Sequence, residues 1–144
     1  MTEQVRVIFS RNYLPGSLLI RAFTWSRWSH CAIIDGDDVI ESKIPQGVIR
    51  RPLKEFIKDC SEYEIVTFQV ESRDAVIKAA NSQLGKPYDY FAVIGMVFRR
   101  DWQDKNRWFC SEFVVYALSE GGYTVFRKER LSRVTPEHLW MVST

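Results

Sequence analysis

Residues 28–42 have the sequence WSHCAIIDGDDVIES, in which two apolar runs flank a short polar segment. The pair Asp35-Gly36 at the centre is a strong signal for the tight turn of a β-hairpin, because glycine accepts the backbone angles that such a turn requires. We therefore predict two antiparallel strands, one over Trp28–Ile34 and the other over Val39–Ser42.

The register of this hairpin brings two polar side chains to one face. With a two-residue loop after Asp35, that residue opposes Asp38. His30 and Glu41 then become diagonal neighbours, about 7–8 Å apart by backbone and within side-chain reach of each other. A shift of one residue would move Glu41 to the opposite face, so the proposed contact depends on the register.

The rest of the chain has a mixed order, in which helices lie on either side of a group of short strands. This order clusters the antiparallel strands and predicts an α+β fold rather than a doubly wound sheet. The length of 144 residues fits one domain over residues 1–144. Further strands are predicted over Val5–Phe9, Val48–Arg50 and Glu64–Val70, and helices over Ser17–Trp25, Pro52–Asp59 (with Pro52 at the first helical position), Ser72–Leu84 (capped by Ser72), Cys110–Leu118 and from Thr135 onward.

The composition excludes several classes of protein. Hydrophobic residues make up 46% of the chain and the net charge is +2, which argues against a disordered chain and against a nucleic-acid partner. The longest uncharged apolar stretch, Tyr90–Phe98, falls well short of the roughly 20 residues of a transmembrane helix. The first residues lack the apolar core of a signal peptide, so we expect a cytoplasmic protein.

The chain has three cysteines, Cys31, Cys60 and Cys110, without CxxC spacing. This pattern favours neither a disulfide framework nor a zinc site, and no metal or cofactor is expected. Cys31 points away from His30 in the predicted strand and is expected in the core. Cys60 is expected to be structural or exposed.

Cys110 is the candidate nucleophile because it begins a predicted helix. The helix N-terminus and a nearby imidazolium both lower the pKa of a thiol, and His30 is the candidate base. Glu41 would orient the histidine ring. We expect Cys110 to face a cleft and to contribute little to packing. The alternative is a core helix face, since apolar residues follow Cys110 at helical spacing; these are Phe113, Val114, Ala117 and Leu118.

Four short segments occur in a characteristic order, with the histidine strand before the cysteine helix. With them the chain resembles the circularly permuted branch of the NlpC/P60 papain-like superfamily, the YiiX/YebB-like proteins, which are related to the lecithin:retinol acyltransferases. The resemblance implies Cys110 as nucleophile, His30 as base and Glu41 as the third residue. The segments are Ser29-His30, Val39-Ile40-Glu41, Gly85-Lys86-Pro87-Tyr88-Asp89 and Phe109-Cys110-Ser111-Glu112-Phe113-Val114, within a region from Pro15 to Pro136.

Two departures from the family pattern bear on the reaction. Family members often carry Asp after the early Pro-Gly, where this chain has Ser17. The acyltransferase branch favours Asn-Cys-Glu-His at the nucleophile, where this chain has Phe109-Cys110-Ser111-Glu112. The departure at the nucleophile favours hydrolysis over acyl transfer to a retinoid or phospholipid.

The predicted function is therefore a cysteine hydrolase of amide or ester bonds. The backbone N–H of Cys110 would form part of the oxyanion hole, and Tyr88, Ser111 and Ser29 are candidates for the oxyanion hole or the cleft. His138 is a rival base. The substrate is left open among a cell-wall peptide, an isopeptide and an acyl lipid. The alternatives are a lipid acyltransferase or thioesterase, and a catalytically silent binding module in which Cys110 is buried and unreactive.

Overall fold

The computed structural model describes residues 2–11, 28, 30–43, 46–86, 110–123 and 136–142. In these residues a five-stranded sheet packs against helices, which confirms the predicted α+β class. The strands are β1 (Glu3–Arg11), β2 (His30–Asp35), β3 (Asp38–Lys43), β4 (Gly47–Pro52) and β5 (Glu62–Val70). The helices are α1 (Leu53–Lys58), α2 (Arg73–Ser82), α3 (Cys110–Glu120) and α4 (Pro136–Met141).

The sheet has the order β4-β3-β2-β1-β5, and each neighbouring pair is antiparallel. Strands β2 and β3 form the predicted hairpin, and Asp35 pairs with Asp38 as expected from a two-residue loop. Gly36 in that loop has a φ of 58°, in the left-handed region that favours glycine. The predicted register is therefore confirmed.

Alternation along the strands gives the sheet two covered faces. The larger core lies on the face packed against α2, α3 and α4, and the smaller core lies on the face that α1 covers. Buried residues of the larger core include Val7, Phe9, Trp28, Cys31, Ile33, Ile40, Phe68, Val76, Cys110, Phe113, Val114, Leu118 and Leu139. Those of the smaller core are Ile8, Ala32, Ile34, Val39 and Phe56.

The helix boundaries agree with the sequence apart from small shifts. Ser72 caps α2 as predicted, since its Oγ accepts a hydrogen bond from the Ala75 N–H at 3.2 Å. Pro52 is not the first residue of α1: its ψ of 137° is extended, so it is the N-cap and the helix begins at Leu53. Helix α2 ends at Ser82. After it, the Leu84 N–H bonds to the carbonyl of Asn81, three residues earlier, instead of the carbonyl four residues earlier that an α-helix would use.

Some sequence-based expectations lie outside the described residues. Among them are the helix over Ser17–Trp25, the apolar stretch Tyr90–Phe98 and Thr135 at the start of the last helix. Among the helices that are described, none combines the length and the apolar character needed to cross a bilayer.

Candidate active site

Cys110 is the first residue of α3, where backbone N–H groups lack partners within the helix. The thiol hydrogen-bonds with the side chains of His30 and Cys31, and also with the backbone of Cys31. Cys110 is completely buried, with 0% of its surface exposed. The expectation that it faces a cleft with little packing is therefore wrong: the start of α3 is pressed against the sheet and belongs to the larger core.

The contacts of Cys110 join the two faces of the sheet. Cys31 projects into the larger core together with Cys110, as its predicted core position requires. His30, one residue earlier, stacks its ring on Phe56 of the smaller core at 5.8 Å between centroids. Because His30 is the first residue of β2, its side chain meets both the thiol and the opposite face of the sheet.

His30 and Glu41 make the contact that the hairpin register predicts. The Nε2 atom of His30 lies 3.1 Å from Oε1 of Glu41. The Glu41 side chain is 0% exposed, while that of His30 is 19% exposed. Since Nε2 faces Glu41, Nδ1 is the ring nitrogen left for other partners.

The electrostatics of the three groups favour an ion pair. Burial alone would lower the pKa of His30, but hydrogen bonds and charges from Cys110 and Glu41 outweigh it and raise that pKa to about 10. Burial would raise the pKa of Glu41, yet the hydrogen bond and charge of His30, with those of Arg51, lower it. The geometry therefore holds His30 protonated beside an ionised Glu41.

The pKa values of the two buried cysteines are shifted in opposite directions. Burial would raise the pKa of Cys110, but hydrogen bonds from Cys31 and His30 and the charge of His30 lower it to about 5. Burial is the largest cause that raises the pKa of Cys31, followed by its hydrogen bond to Cys110 and the charge there. Cys110 is thus the thiolate of the pair and Cys31 is a hydrogen-bond donor to it.

Arg51 is a residue of this site that the sequence analysis missed. Its Nε donates to Oε2 of Glu41 at 2.7 Å, and its Nη2 donates to Oε1 at 3.4 Å. The pairing of β3 with β4 explains this contact. Glu41 pairs with Ile49, so Arg51 is a diagonal neighbour of Glu41 on the same face of the sheet. Phe56 was also missed, and its side chain contacts both His30 and Arg51.

The other residues that the sequence suggested for the site or its surroundings are Ser111, Cys60, Tyr88, Ser29 and His138. Ser111 is completely buried in the first turn of α3. Cys60 is half-buried and its thiol donates to the Phe56 carbonyl at 3.1 Å, in keeping with a structural role. Tyr88, Ser29 and the side chain of His138 lie outside the described residues. In the part of the chain that the structure describes, no cluster of three or more His, Cys, Asp or Glu could hold a metal ion.

Comparison with solved structures identifies the fold. The chain is similar to the "metalloprotein yiiX from Escherichia coli O157:H7", with a TM-score of 0.61 and 24% sequence identity. The similarity covers 83% of this chain and 66% of that one, so the chain spans a little under two thirds of the length of this relative. A comparison with curated protein sequences gave no match.

A family model matches residues 6–138, which is nearly the whole chain. Its description is a permuted papain-like amidase enzyme of the YaeF/YiiX type. The matched region contains β2 to β5 and most of β1, and it contains Cys110, His30 and Glu41. With this match and the similar fold, the chain belongs to the C92 family of permuted papain-like amidases.

Proposed function

We propose that the protein cleaves an amide bond through a thioester acyl-enzyme formed on Cys110. The observation that supports the proposal most is the hydrogen-bonded series from Cys110 through His30 to the buried Glu41. A thiolate at a helix N-terminus, beside an imidazolium that a carboxylate orients, is the arrangement of a thiol hydrolase. Membership in an amidase family supports an amide-containing substrate.

The reaction runs in two stages. The Cys110 thiolate attacks the carbonyl carbon, and the tetrahedral intermediate collapses as His30 gives its proton to the leaving nitrogen. The C–N bond breaks, the amine leaves, and the acyl group remains on sulfur. Neutral His30 then takes a proton from water, the hydroxide attacks the thioester, and the acid is released as thiolate and imidazolium are restored.

The first turn of α3 supplies the groups that would stabilise the oxyanion. The backbone N–H of Cys110 stands at the positive end of the helix dipole. A donor of this kind contributes about 100-fold to 1,000-fold in turnover when it points at the developing charge. Ser111, Tyr88 and Ser29 remain the candidates for a further donor or for the cleft.

A catalytically silent module is the second candidate, because Cys110 is completely buried. Burial of this kind was the feature expected of a silent module. The lowered pKa of Cys110 favours the hydrolase instead, since a thiol packed only among apolar groups has a raised pKa.

The test uses p-nitrophenyl acetate as an acylating probe, followed by intact-mass measurement. The hydrolase proposal predicts a burst of p-nitrophenolate and one acetyl group on Cys110, absent in Cys110→Ser and strongly slowed in His30→Ala. Cys60→Ala is the matched control and should react as the wild type does. Acylation that is unaffected by Cys110→Ser, or that is absent from the folded wild type, would favour the silent module.

The substrate class is then tested with a panel of acyl donors. Peptide amides, isopeptides and phospholipid vesicles are incubated with wild type and Cys110→Ser, and the products are analysed by mass spectrometry. The proposal predicts Cys110-dependent cleavage of an amide. Cys110-dependent cleavage confined to the phospholipid would assign a lipid acyltransferase or thioesterase reaction instead.

A further inference from the structure

We propose that Arg51 is a positioning residue, which holds Glu41 in the orientation that His30 requires. The proposal rests on the function proposed above, in which Glu41 orients the His30 ring. Arg51 acts on the Glu41 carboxylate, which in turn contacts the His30 ring. The inference comes from the contacts of Glu41 and Arg51, which meet on one face of β3 and β4.

The first contacts fix both oxygens of Glu41. Arg51 donates from Nε to Oε2 at 2.7 Å and from Nη2 to Oε1 at 3.4 Å, while His30 Nε2 lies 3.1 Å from the same Oε1. A carboxylate that is held at both oxygens by a planar guanidinium has one orientation rather than several. Arg51 therefore sets the direction in which the Oε1 atom of Glu41 points toward His30.

The next contacts fix Arg51 itself. Its Nη1 donates to Oδ2 of Asp59 at 2.7 Å, just after α1. Its Cζ lies 5.2 Å from the centroid of the Phe56 ring, within the range of a cation–π contact. Phe56 also stacks on His30. One aromatic ring of α1 thus contacts both the base and the arginine that holds its carboxylate.

Arg51 also helps to keep the buried Glu41 carboxylate ionised. Glu41 is completely buried, and a buried carboxylate with a single partner is costly to keep ionised. Burial would raise the pKa of Glu41, and Arg51 acts with His30 to lower it. Among the described residues, the charged or titratable groups around His30 and Glu41 include Cys31 on β2, Arg51 on β4, Asp59 and Cys60 after α1, and Cys110 on α3.

Arg50 offers a matched control for any arginine variant. It is the neighbour of Arg51 on β4, and alternation places it on the opposite face. It pairs with Asp35 at 2.8 Å and Asp38 at 2.9 Å, at the hairpin turn and away from Glu41. Replacing Arg50 therefore removes an arginine and its ion pairs without touching Glu41.

The experiment compares Arg51→Met, Arg51→Lys and Arg50→Met with wild type. Turnover is measured on the best amide found for the protein, and the pH profile of Cys110 alkylation by iodoacetamide is followed by mass spectrometry. Arg51→Met should lower kcat by about a hundredfold with a much smaller change in KM, because the base is misplaced. Its alkylation midpoint should move to higher pH. Arg51→Lys, which keeps the charge but loses the planar fork, should recover part of both.

The alkylation profile separates the failure of this proposal from that of the proposed function. If wild-type Cys110 alkylates only at the pH of an ordinary thiol, the ion pair and with it the proposed hydrolase are wrong, whatever Arg51 does. If wild type shows the low midpoint and folded Arg51→Met keeps both that midpoint and the wild-type kcat, Arg51 is merely structural. Should Arg51→Met fail to fold, the same comparison is made with Arg51→Lys, in which an unchanged midpoint and kcat overturn the proposal.

Discussion

The imidazole of His30 and the carboxylate of Glu41 meet at 3.1 Å across a hairpin whose loop is only two residues long. The two residues lie on adjacent strands of one hairpin, so the turn and its register bring them close together. Glu41 is completely buried at this contact, which makes its charge strongly felt by the ring. The predictions below follow from this pair and from the elements that surround it.

Glu41→Gln should lower turnover by about 100-fold and affect KM less. The hydrogen bond and the charge of Glu41 both raise the pKa of His30, so that pKa should fall from about 10. The measurement is kcat and KM together with an NMR titration of His30. Glu64→Gln is the control, since Glu64 accepts from Trp140 Nε1 at 2.9 Å, away from the pair. Wild-type turnover in Glu41→Gln would remove Glu41 from the mechanism.

Amide hydrolysis should follow a bell-shaped pH profile with limbs near pH 5 and pH 10. The acid limb reflects the pKa of Cys110, lowered to about 5, and the alkaline limb reflects the pKa of His30, raised to about 10. Both values belong to the coupled pair. Alkylation of Cys110 needs only the thiolate, so its rate should rise on the acid limb and not fall again above pH 10. Parallel profiles for the two reactions would contradict the assignment of the alkaline limb to His30.

The free energy of unfolding should rise from about pH 5 to 6.5 and then stay level to about pH 9. Cys110 has a pKa of about 5 folded against 9.0 in its ordinary state, so unfolding takes up a proton between these values and stability rises with pH. His30 has a pKa of about 10 folded against 6.5, so unfolding releases a proton there and stability falls with pH. The two slopes cancel where they overlap.

Urea denaturation across this range measures the effect, and Cys110→Ser is its control. The variant lacks the depressed thiol, so the rise between about pH 5 and 6.5 should disappear. The pKa of Glu41 is lowered from 4.5 and the pKa of Cys31 is raised above 9.0, so neither residue contributes inside the window. A wild-type profile that is flat from pH 5 to 6.5 would contradict the ion pair.

Cys31→Ala should raise the alkylation midpoint of Cys110 above about 5, because the Cys31 side chain hydrogen-bonds the thiolate. Cys31→Ser keeps a donor at that position and should leave the midpoint near the wild-type value. The backbone hydrogen bond from residue 31 remains in both variants. Iodoacetamide rates against pH, resolved by mass spectrometry for each cysteine, test this. An identical midpoint in all three proteins would show that the Cys31 side chain has no electrostatic role.

Gly121→Ala should destabilise the fold by about 1–3 kcal/mol through overpacking. An added Cβ would lie 2.2 Å from Cγ2 of Val76 and 2.8 Å from the Ser72 carbonyl oxygen. The backbone cannot move away easily, since the Gly121 carbonyl accepts from the N–H groups of Glu71 and Ser72. Urea denaturation measures the loss, with Ser119→Ala in the last turn of α3 as control. Equal stability of the two variants would show that the end of α3 can shift.

The hairpin and its polar pair were predictable because they depend on local rules. Asp35-Gly36 sets the turn, and the two-residue period of a strand then places His30 beside Glu41. Arg51 follows from the same rule, but only once the β3–β4 register is known, and Pro45-Gln46-Gly47 marks a break between strands without fixing that register.

The burial of Cys110 was beyond sequence reasoning. The apolar spacing of Cys110 with Phe113 and Val114 fits a cleft edge and a core face equally well. Which of the two applies is decided by how α3 docks on the sheet, and that is a tertiary contact. Cys110 also interacts with both His30 and Cys31, although successive side chains of a strand point to opposite faces of the sheet. This is possible because His30 and Cys31 are the first residues of β2, where a side chain can reach around the end of the strand.

Cys110 and His30 are far apart in the sequence, and this distance determines when during folding the thiol becomes activated. A hairpin such as β2–β3 closes in about 1–10 μs, so His30 and Glu41 can pair early. Cys110 joins them only when α3 docks on the sheet, a contact between residues far apart in sequence that forms slowly. Until then the thiol has its ordinary pKa of 9.0 and is mostly protonated at neutral pH. A nascent or partly unfolded chain therefore carries an ordinary thiol, and the activated thiolate arises together with the burial of Cys110.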